Sequence, residues 1–125
     1  MAIQKKFGHT AEAWNHAKRE AVKAMSARAQ LRGMMPYSDL VAEVSAIKFH
    51  PHDQGFHHML GEISVEESAA GRGMLSVIVV HKHGDMQPGP GFFELAKSLG
   101  HKTNDILVFW VAELKTVHAY WSNKA

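Results

Sequence analysis

Histidines give the chain its most reactive side chains, and there are ten of them among 125 residues. His81, His83 and Asp85 are spaced i, i+2, i+4 directly after an apolar run. If that run is a strand that continues through them, all three side chains project from one face. Imidazole and carboxylate groups placed in this way are suitable ligands for Zn or Mn, with positions left open for water.

A second histidine-rich stretch lies nearer the middle of the chain. In a helix, His58 and Glu62 would be neighbours at i, i+4, so that the carboxylate could orient the imidazole. Five candidate acid–base groups or ligands stand close together in this stretch: His50, His52, Asp53, His57 and His58.

These two patterns support the hypothesis of a small metal-dependent hydrolase of the phosphodiesterase or nuclease type. In it, the metal ligands are His81, His83 and Asp85, and the proton carrier is His50 or His58. The ligand segment resembles the HxHxDH motif of metallo-β-lactamase-fold hydrolases, which also follows a strand. The resemblance covers five residues, and Met86 stands where that motif has its last histidine. Gly84 also favours a turn that would separate the three side chains.

Several other kinds of site are excluded or disfavoured by composition. The chain has no cysteine, which excludes disulfides, thiol nucleophiles and thiolate metal sites. The glycine- and proline-rich segment 84–91 lacks the lysine of a phosphate-binding loop, and its prolines remove backbone amides. No serine lies in a GxSxG elbow. Ser38 and Ser64 are instead predicted to cap helices.

Positive charge is concentrated at the N-terminal end of the chain. Residues 1–33 hold seven of the fourteen lysines and arginines, against two glutamates, although the net charge is only +2. Such asymmetry predicts a basic face that could bind an anion such as a nucleic-acid backbone; the alternative is a solvated helix face. The seven cations are Lys5, Lys6, Lys18, Arg19, Lys23, Arg28 and Arg32.

The elements that must position these groups are mostly helical. Apolar spacing predicts a first helix over 11–31, capped by Thr10, with a buried stripe that includes Leu31 and with Gly33 as its left-handed stop. Shorter helices are predicted over 39–45, 54–63 and 92–99, with another turn beginning at Ser64. A last helix, capped by Asn104 or Asp105, should run to Trp121 and bury one face of five residues: Leu107, Trp110, Leu114, Val117 and Trp121.

One segment is typical of a β-strand. Met74–Val80 is rich in β-branched residues and is predicted to lie in the middle of a small sheet. The fold class is therefore α+β, a small and mainly helical domain with a short sheet. No repeat or linker divides the chain, so residues 1–125 are expected to form a single domain.

The order of these elements resembles a winged helix-turn-helix. Residues 34–91, which include the helix opening Pro36–Val41 and the strand, are similar to the DNA-binding half of alkyltransferase-like proteins. The reactive Pro-Cys-His-Arg segment of those proteins has no counterpart here. The resemblance implies a winged-helix-like core in which Gln54, His57 and His58 face the major groove and Lys82 lies in the wing. Phosphates would be bound by Lys18, Arg19, Lys23, Arg28 and Arg32.

The function favoured by the sequence is a non-enzymatic nucleic-acid-binding or regulatory module that uses the basic N-terminal helix and needs no cofactor. The alternatives are the Zn- or Mn-dependent hydrolase and a protein–protein interaction domain. Met1–Phe7 is polar and basic with no apolar region behind it, so no secretory signal is expected. Because the longest apolar run is also too short to cross a bilayer, the sequence predicts a cytoplasmic protein without membrane contact.

Overall fold

The computed structural model describes residues 5–82, 84 and 86–123. It is a small α+β arrangement dominated by helices, as the sequence predicts. Two pairs of two-residue strands complete it: β1 is antiparallel to β2, and β3 is parallel to β4. In chain order the elements are β1 Lys5–Lys6, β2 His9–Thr10, α1 Ala11–Gln30, β3 Met35–Pro36, α2 Tyr37–Ala42, α3 Gln54–Ala69, a 3₁₀ turn Leu75–Ile78, β4 Val79–Val80, α4 Pro90–Ser98 and α5 Ile106–Ser122.

Helix α1 begins as predicted but ends differently. The Thr10 hydroxyl accepts a hydrogen bond from the Ala13 amide at 3.1 Å, which confirms the predicted cap. At the other end, Ala29 is buried and Leu31 is 79% exposed, so the prediction of a buried Leu31 is wrong. The left-handed residue that ends the helix is Arg32, with φ of 56°, and not Gly33.

The segment 74–80 lies at the centre of the core, but most of it is not a strand. All seven residues are buried. Leu75–Ile78 form a 3₁₀ turn, and only Val79 and Val80 extend, pairing with Met35 and Pro36. The β-branched composition therefore reflects burial against α1, α3 and α5 and not a long strand, and the prediction of a strand over the whole run is wrong.

Helix α3 is longer than its apolar spacing predicts: it continues without a break to Ala69. The expected cap at Ser64 lies inside the helix. Its hydroxyl is fully buried, shares a 2.6 Å hydrogen bond with the Ser76 hydroxyl and accepts the Ser76 amide at 3.0 Å. Ser64 thus joins α3 to the central turn.

The boundaries of the two short helices also differ from prediction. Helix α2 begins at Tyr37, so Ser38 lies inside the helix and does not cap it; the residue before the helix is Pro36. The Ser38 hydroxyl is buried and has no hydrogen-bond partner among the described residues. Helix α4 begins two residues earlier than predicted, with Pro90 in its first turn, where the missing amide costs nothing.

Helix α5 packs on α1 and on the central turn, where the Trp110 indole donates to the Val77 carbonyl at 3.1 Å. Phe109 packs on Phe92 of α4, with ring centroids 6.0 Å apart. Asp105 caps it as predicted, accepting the Val108 amide at 3.1 Å. Leu107 is 52% exposed, so it does not belong to the buried face that the sequence predicts. Nowhere in the described part of the chain is a helix both long and apolar enough to traverse a membrane.

Candidate functional site

Tyr37 lies between two imidazoles brought together from distant parts of the chain. Its ring centroid is 5.2 Å from that of His57, in the first turn of α3, and 5.3 Å from that of His81, just after β4. The Tyr37 hydroxyl accepts a hydrogen bond from the Gly89 amide at 2.8 Å. Burial raises the pKa of Tyr37 and outweighs the opposite effect of that hydrogen bond, so the phenol stays neutral.

These rings form one wall of a cavity of about 360 Å³, which we call the imidazole pocket. The Ser38 hydroxyl lies buried beside it. Lys82 and the three histidines of the pocket are exposed. The lining consists of Tyr37, Ser38, Pro51, His52, His57, His81 and Lys82.

The loop that supplies His52 is held in shape by its own hydrogen bonds. The Asp53 carboxylate accepts the His50 amide at 2.7 Å, and the Asp53 amide donates to the His50 carbonyl at 3.0 Å. His57 Nε2 lies 2.8 Å from the Pro51 carbonyl, which ties this loop to α3. Asp53 is thus engaged by backbone, and the pocket lining contains no carboxylate among the described residues.

A second cavity, of about 420 Å³, runs between α3 and α4, and we call it the apolar groove. Leu60, Gly61 and Val65 of α3 face Phe92 and Leu95 of α4 across it. The groove adjoins the imidazole pocket, since Tyr37 and His57 line both. Its lining also includes two histidines and two glutamates: His57, His58, Glu62 and Glu66.

Glu62 is the charged centre of this face. Its carboxylate binds Lys6, accepts the indole N–H of Trp14 at 2.8 Å and lies 3.5 Å from both Lys18 Nζ and His58 Nε2. Burial opposes ionisation, but the hydrogen bonds from Lys6 and Trp14 and the charge of Lys18 outweigh it, so the pKa of Glu62 lies below its ordinary value. The predicted His58–Glu62 pairing is confirmed.

The third depression lies on the other side of α3, against α1. We call it the basic depression; it has a volume of about 450 Å³ and shares Glu66 with the apolar groove. Lys18 is largely covered and forms a 2.5 Å ion pair with Glu66, whereas Arg19 and Lys23 are exposed. Its lining is Asn15, Lys18, Arg19, Val22, Lys23 and Glu66.

The remaining predicted nucleic-acid ligands lie outside these three depressions. Arg28 donates to the Met34 carbonyl at 3.0 Å, which stabilises the end of α1. Arg32 is exposed at the turn that follows. Gln54 is the exposed first residue of α3, next to the His50–Asp53 loop.

The structure describes one of the three predicted metal ligands, His81. His81 lines the imidazole pocket, whereas His83 and Asp85 lie outside the described residues. Among the residues that are described, no three histidine, aspartate or glutamate side chains are placed to hold a metal ion. Of the two predicted proton carriers, His50 accepts the His52 amide at 3.2 Å, and His58 packs 5.2 Å from the Phe7 ring.

Sequence reasoning missed the groove and the role of Tyr37. The groove forms because α4 packs beside α3 from more than twenty residues away along the chain, and no local pattern records that pairing. One signal was present: Gly61 is an isolated glycine inside a helical pattern, so the helix surface carries no side chain at that position. A methyl group at position 61 would meet only Leu95, at 3.8 Å.

Comparisons of the chain with models of protein families, with curated proteins and with solved structures found no match. Its function is therefore inferred from the residues themselves.

Proposed function

We propose that the protein is a non-enzymatic nucleic-acid-binding module whose ligand crosses α3. One observation carries the proposal: the imidazole pocket, the apolar groove and the basic depression are neighbours along α3 and share lining residues. The first two share Tyr37 and His57, and the last two share Glu66. Three neighbouring depressions suit an extended, linear ligand better than a compact one.

The charges along this surface suit a phosphate backbone. Lys82 lies at one end, and Arg19 and Lys23 lie at the other. Between them, the negative charges of Glu62 and Glu66 are offset by Lys6 and Lys18. Proteins that bind single strands combine cations that follow the backbone with aromatic side chains on which bases stack, and on this proposal Lys82, Arg19 and Lys23 are those cations.

A single strand suits this surface better than a duplex does. The exposed face of α3 carries Glu62 and Glu66 and no lysine or arginine, so it lacks the side chains that most often read guanine in the major groove. Helix α4 also lies beside α3 and narrows the approach. On this proposal, Gln54, His57 and His58 contact an unpaired strand.

The proposal is tested by fluorescence anisotropy with labelled single-stranded and double-stranded oligonucleotides over about 50 to 200 mM salt. The test variant is Arg19→Glu/Lys23→Glu, which leaves the ion pairs of Lys18 intact. We expect weaker binding at every salt concentration. For a single strand, the slope of log K against log salt should fall in magnitude by about 1.4, or about 0.7 for each phosphate that is no longer neutralised.

The matched control is Lys102→Glu/Lys115→Glu, an equal change of charge at two exposed residues outside the three depressions. It should change binding much less. If both variants lost the same affinity, the loss would be explained by the change in net charge alone. That result would contradict the proposed binding surface. No binding by the unmodified protein at low salt would contradict the function itself.

A further inference from the structure

We infer that the imidazole pocket and the apolar groove together form a binding site for one nucleotide carrying a phosphate monoester. The phosphate occupies the pocket and the base occupies the groove. This inference rests on the proposed function, since it names the part of the nucleic acid that the histidine-rich end recognises.

The pocket has the chemistry of an anion site. His52, His57 and His81 line it together with Lys82. The Lys82 ammonium and the imidazoles of His52 and His81 can donate to an oxygen ligand, whereas His57 Nε2 lies 2.8 Å from the Pro51 carbonyl. No described residue of the lining carries a carboxylate that would repel an anion. A phosphate monoester has more charge and more acceptor oxygens than a diester, so it gains more from several donors.

The groove has the chemistry of a site for a planar ring. Leu60, Val65, Phe92 and Leu95 make it predominantly apolar, and its volume of about 420 Å³ is within the range of small-ligand sites. Because Tyr37 and His57 line both cavities, the two cavities are adjacent, and the inferred nucleotide places one end in each. A nucleotide carries a strongly charged phosphate at one end and a planar base, whose faces can pack on apolar side chains, at the other.

Calorimetric titration with adenosine 5′-monophosphate, adenosine and inorganic phosphate tests this inference. The monophosphate should bind more tightly than either fragment, because only it fills both cavities. Lys82→Ala should weaken binding of the monophosphate and of inorganic phosphate by about tenfold and leave adenosine nearly unchanged. Lys102→Ala removes an equally exposed lysine outside both cavities and should have no effect.

A graded pair of variants tests the groove. Gly61→Leu places a side chain between α3 and α4, and Gly61→Ala adds one methyl group that meets only Leu95. Binding of the monophosphate should decrease in the order wild type, Gly61→Ala, Gly61→Leu, while inorganic phosphate binds all three alike. Both variants are compatible with a helix, and circular dichroism is the control that checks whether each is folded.

The outcomes separate this inference from the proposed function. Oligonucleotide binding without any binding of the monophosphate or of inorganic phosphate would overturn the inference and leave the proposed function standing. Monophosphate binding with the expected variant pattern, but no oligonucleotide binding, would support the site and overturn the proposed function. A 5′-phosphorylated oligonucleotide that binds more tightly than its 5′-hydroxyl form identifies a strand end as the ligand; binding of the free nucleotide alone identifies a mononucleotide.

Discussion

At the scale of single residues, Trp14 and Trp121 provide a direct comparison. The Trp14 indole is 3% exposed and donates to the Glu62 carboxylate at 2.8 Å. The Trp121 indole nitrogen is buried without a partner among the described residues. A hydrogen bond to a charged group contributes about 1.5–3 kcal/mol, whereas removing an unpaired buried donor relieves a desolvation cost.

We therefore expect Trp14→Phe to lower the free energy of unfolding by about 2–3 kcal/mol. Trp121→Phe, which also loses packing area, should lower it by distinctly less. Urea titration monitored by circular dichroism measures both values. Equal reductions would mean that the indole–carboxylate bond contributes nothing beyond packing.

Local spacing in the sequence predicts one contact of Glu62 but not another. The spacing of His58 and Glu62 correctly predicts their contact, because a helix fixes the distance between i and i+4 side chains. The same reasoning cannot find Trp14, which lies 48 residues from Glu62 along the chain and completes the same network. Contacts made by tertiary packing have no local signal.

At the scale of elements, periodicity predicts the helices better than their ends or the single strand. Each predicted helix has a counterpart in the structure, because apolar spacing records the buried face. Met74–Val80 is misassigned, since complete burial selects the same β-branched residues in a 3₁₀ turn as in a strand. Ser64 is misassigned because its hydroxyl bonds Ser76 across the core and not its own backbone.

Helix α3 gives a stability prediction through Gly61. This glycine lies inside the helix, and a methyl group there has room. Gly61→Ala should raise the free energy of unfolding by about 0.5–1 kcal/mol, because alanine loses less backbone entropy in a helix. Urea titration or thermal unfolding provides the measurement.

Gly73 is the contrasting position, just before the central turn. Its φ is +88°, and an added Cβ would lie 3.0 Å from a methyl group of Val117. Gly73→Ala should cost about 1–3 kcal/mol through backbone strain and steric overlap. If the two variants changed stability in the same direction, the assigned conformations of these glycines would be wrong.

At the scale of the whole molecule, two glutamates connect elements that are distant in sequence. Glu20 of α1 accepts the Ser45 hydroxyl at 2.6 Å and the Ala46 amide at 2.8 Å, which fixes the loop after α2. Those hydrogen bonds lower the pKa of Glu20. Glu62 joins the N-terminal hairpin, α1 and α3 through Lys6, Trp14 and Lys18. Loss of either negative charge should therefore loosen contacts across the fold.

This architecture predicts a specific loss of stability in acid. The pKa of Glu62 in the folded state lies below its ordinary value of 4.5, so the unfolded chain takes up the proton more readily than the folded chain does. The stabilising contribution of the carboxylate is complete above that ordinary value and is lost as the pH falls through the folded-state pKa. The same sign holds for Glu20.

The predicted loss of stability in acid is tested by measuring the free energy of unfolding in urea at several pH values between about pH 7 and pH 3. The proteins compared are the wild type, Glu62→Gln and Glu20→Gln. Each variant should be less stable at neutral pH, because an uncharged amide replaces a carboxylate that accepts several hydrogen bonds. Each should also lose less stability below the ordinary glutamate pKa than the wild type does, since the titrating group is gone. Glu12→Gln, an exposed change in the first turn of α1, should retain the wild-type slope. An unchanged acid slope in Glu62→Gln would show that the network around Trp14 does not depend on that charge.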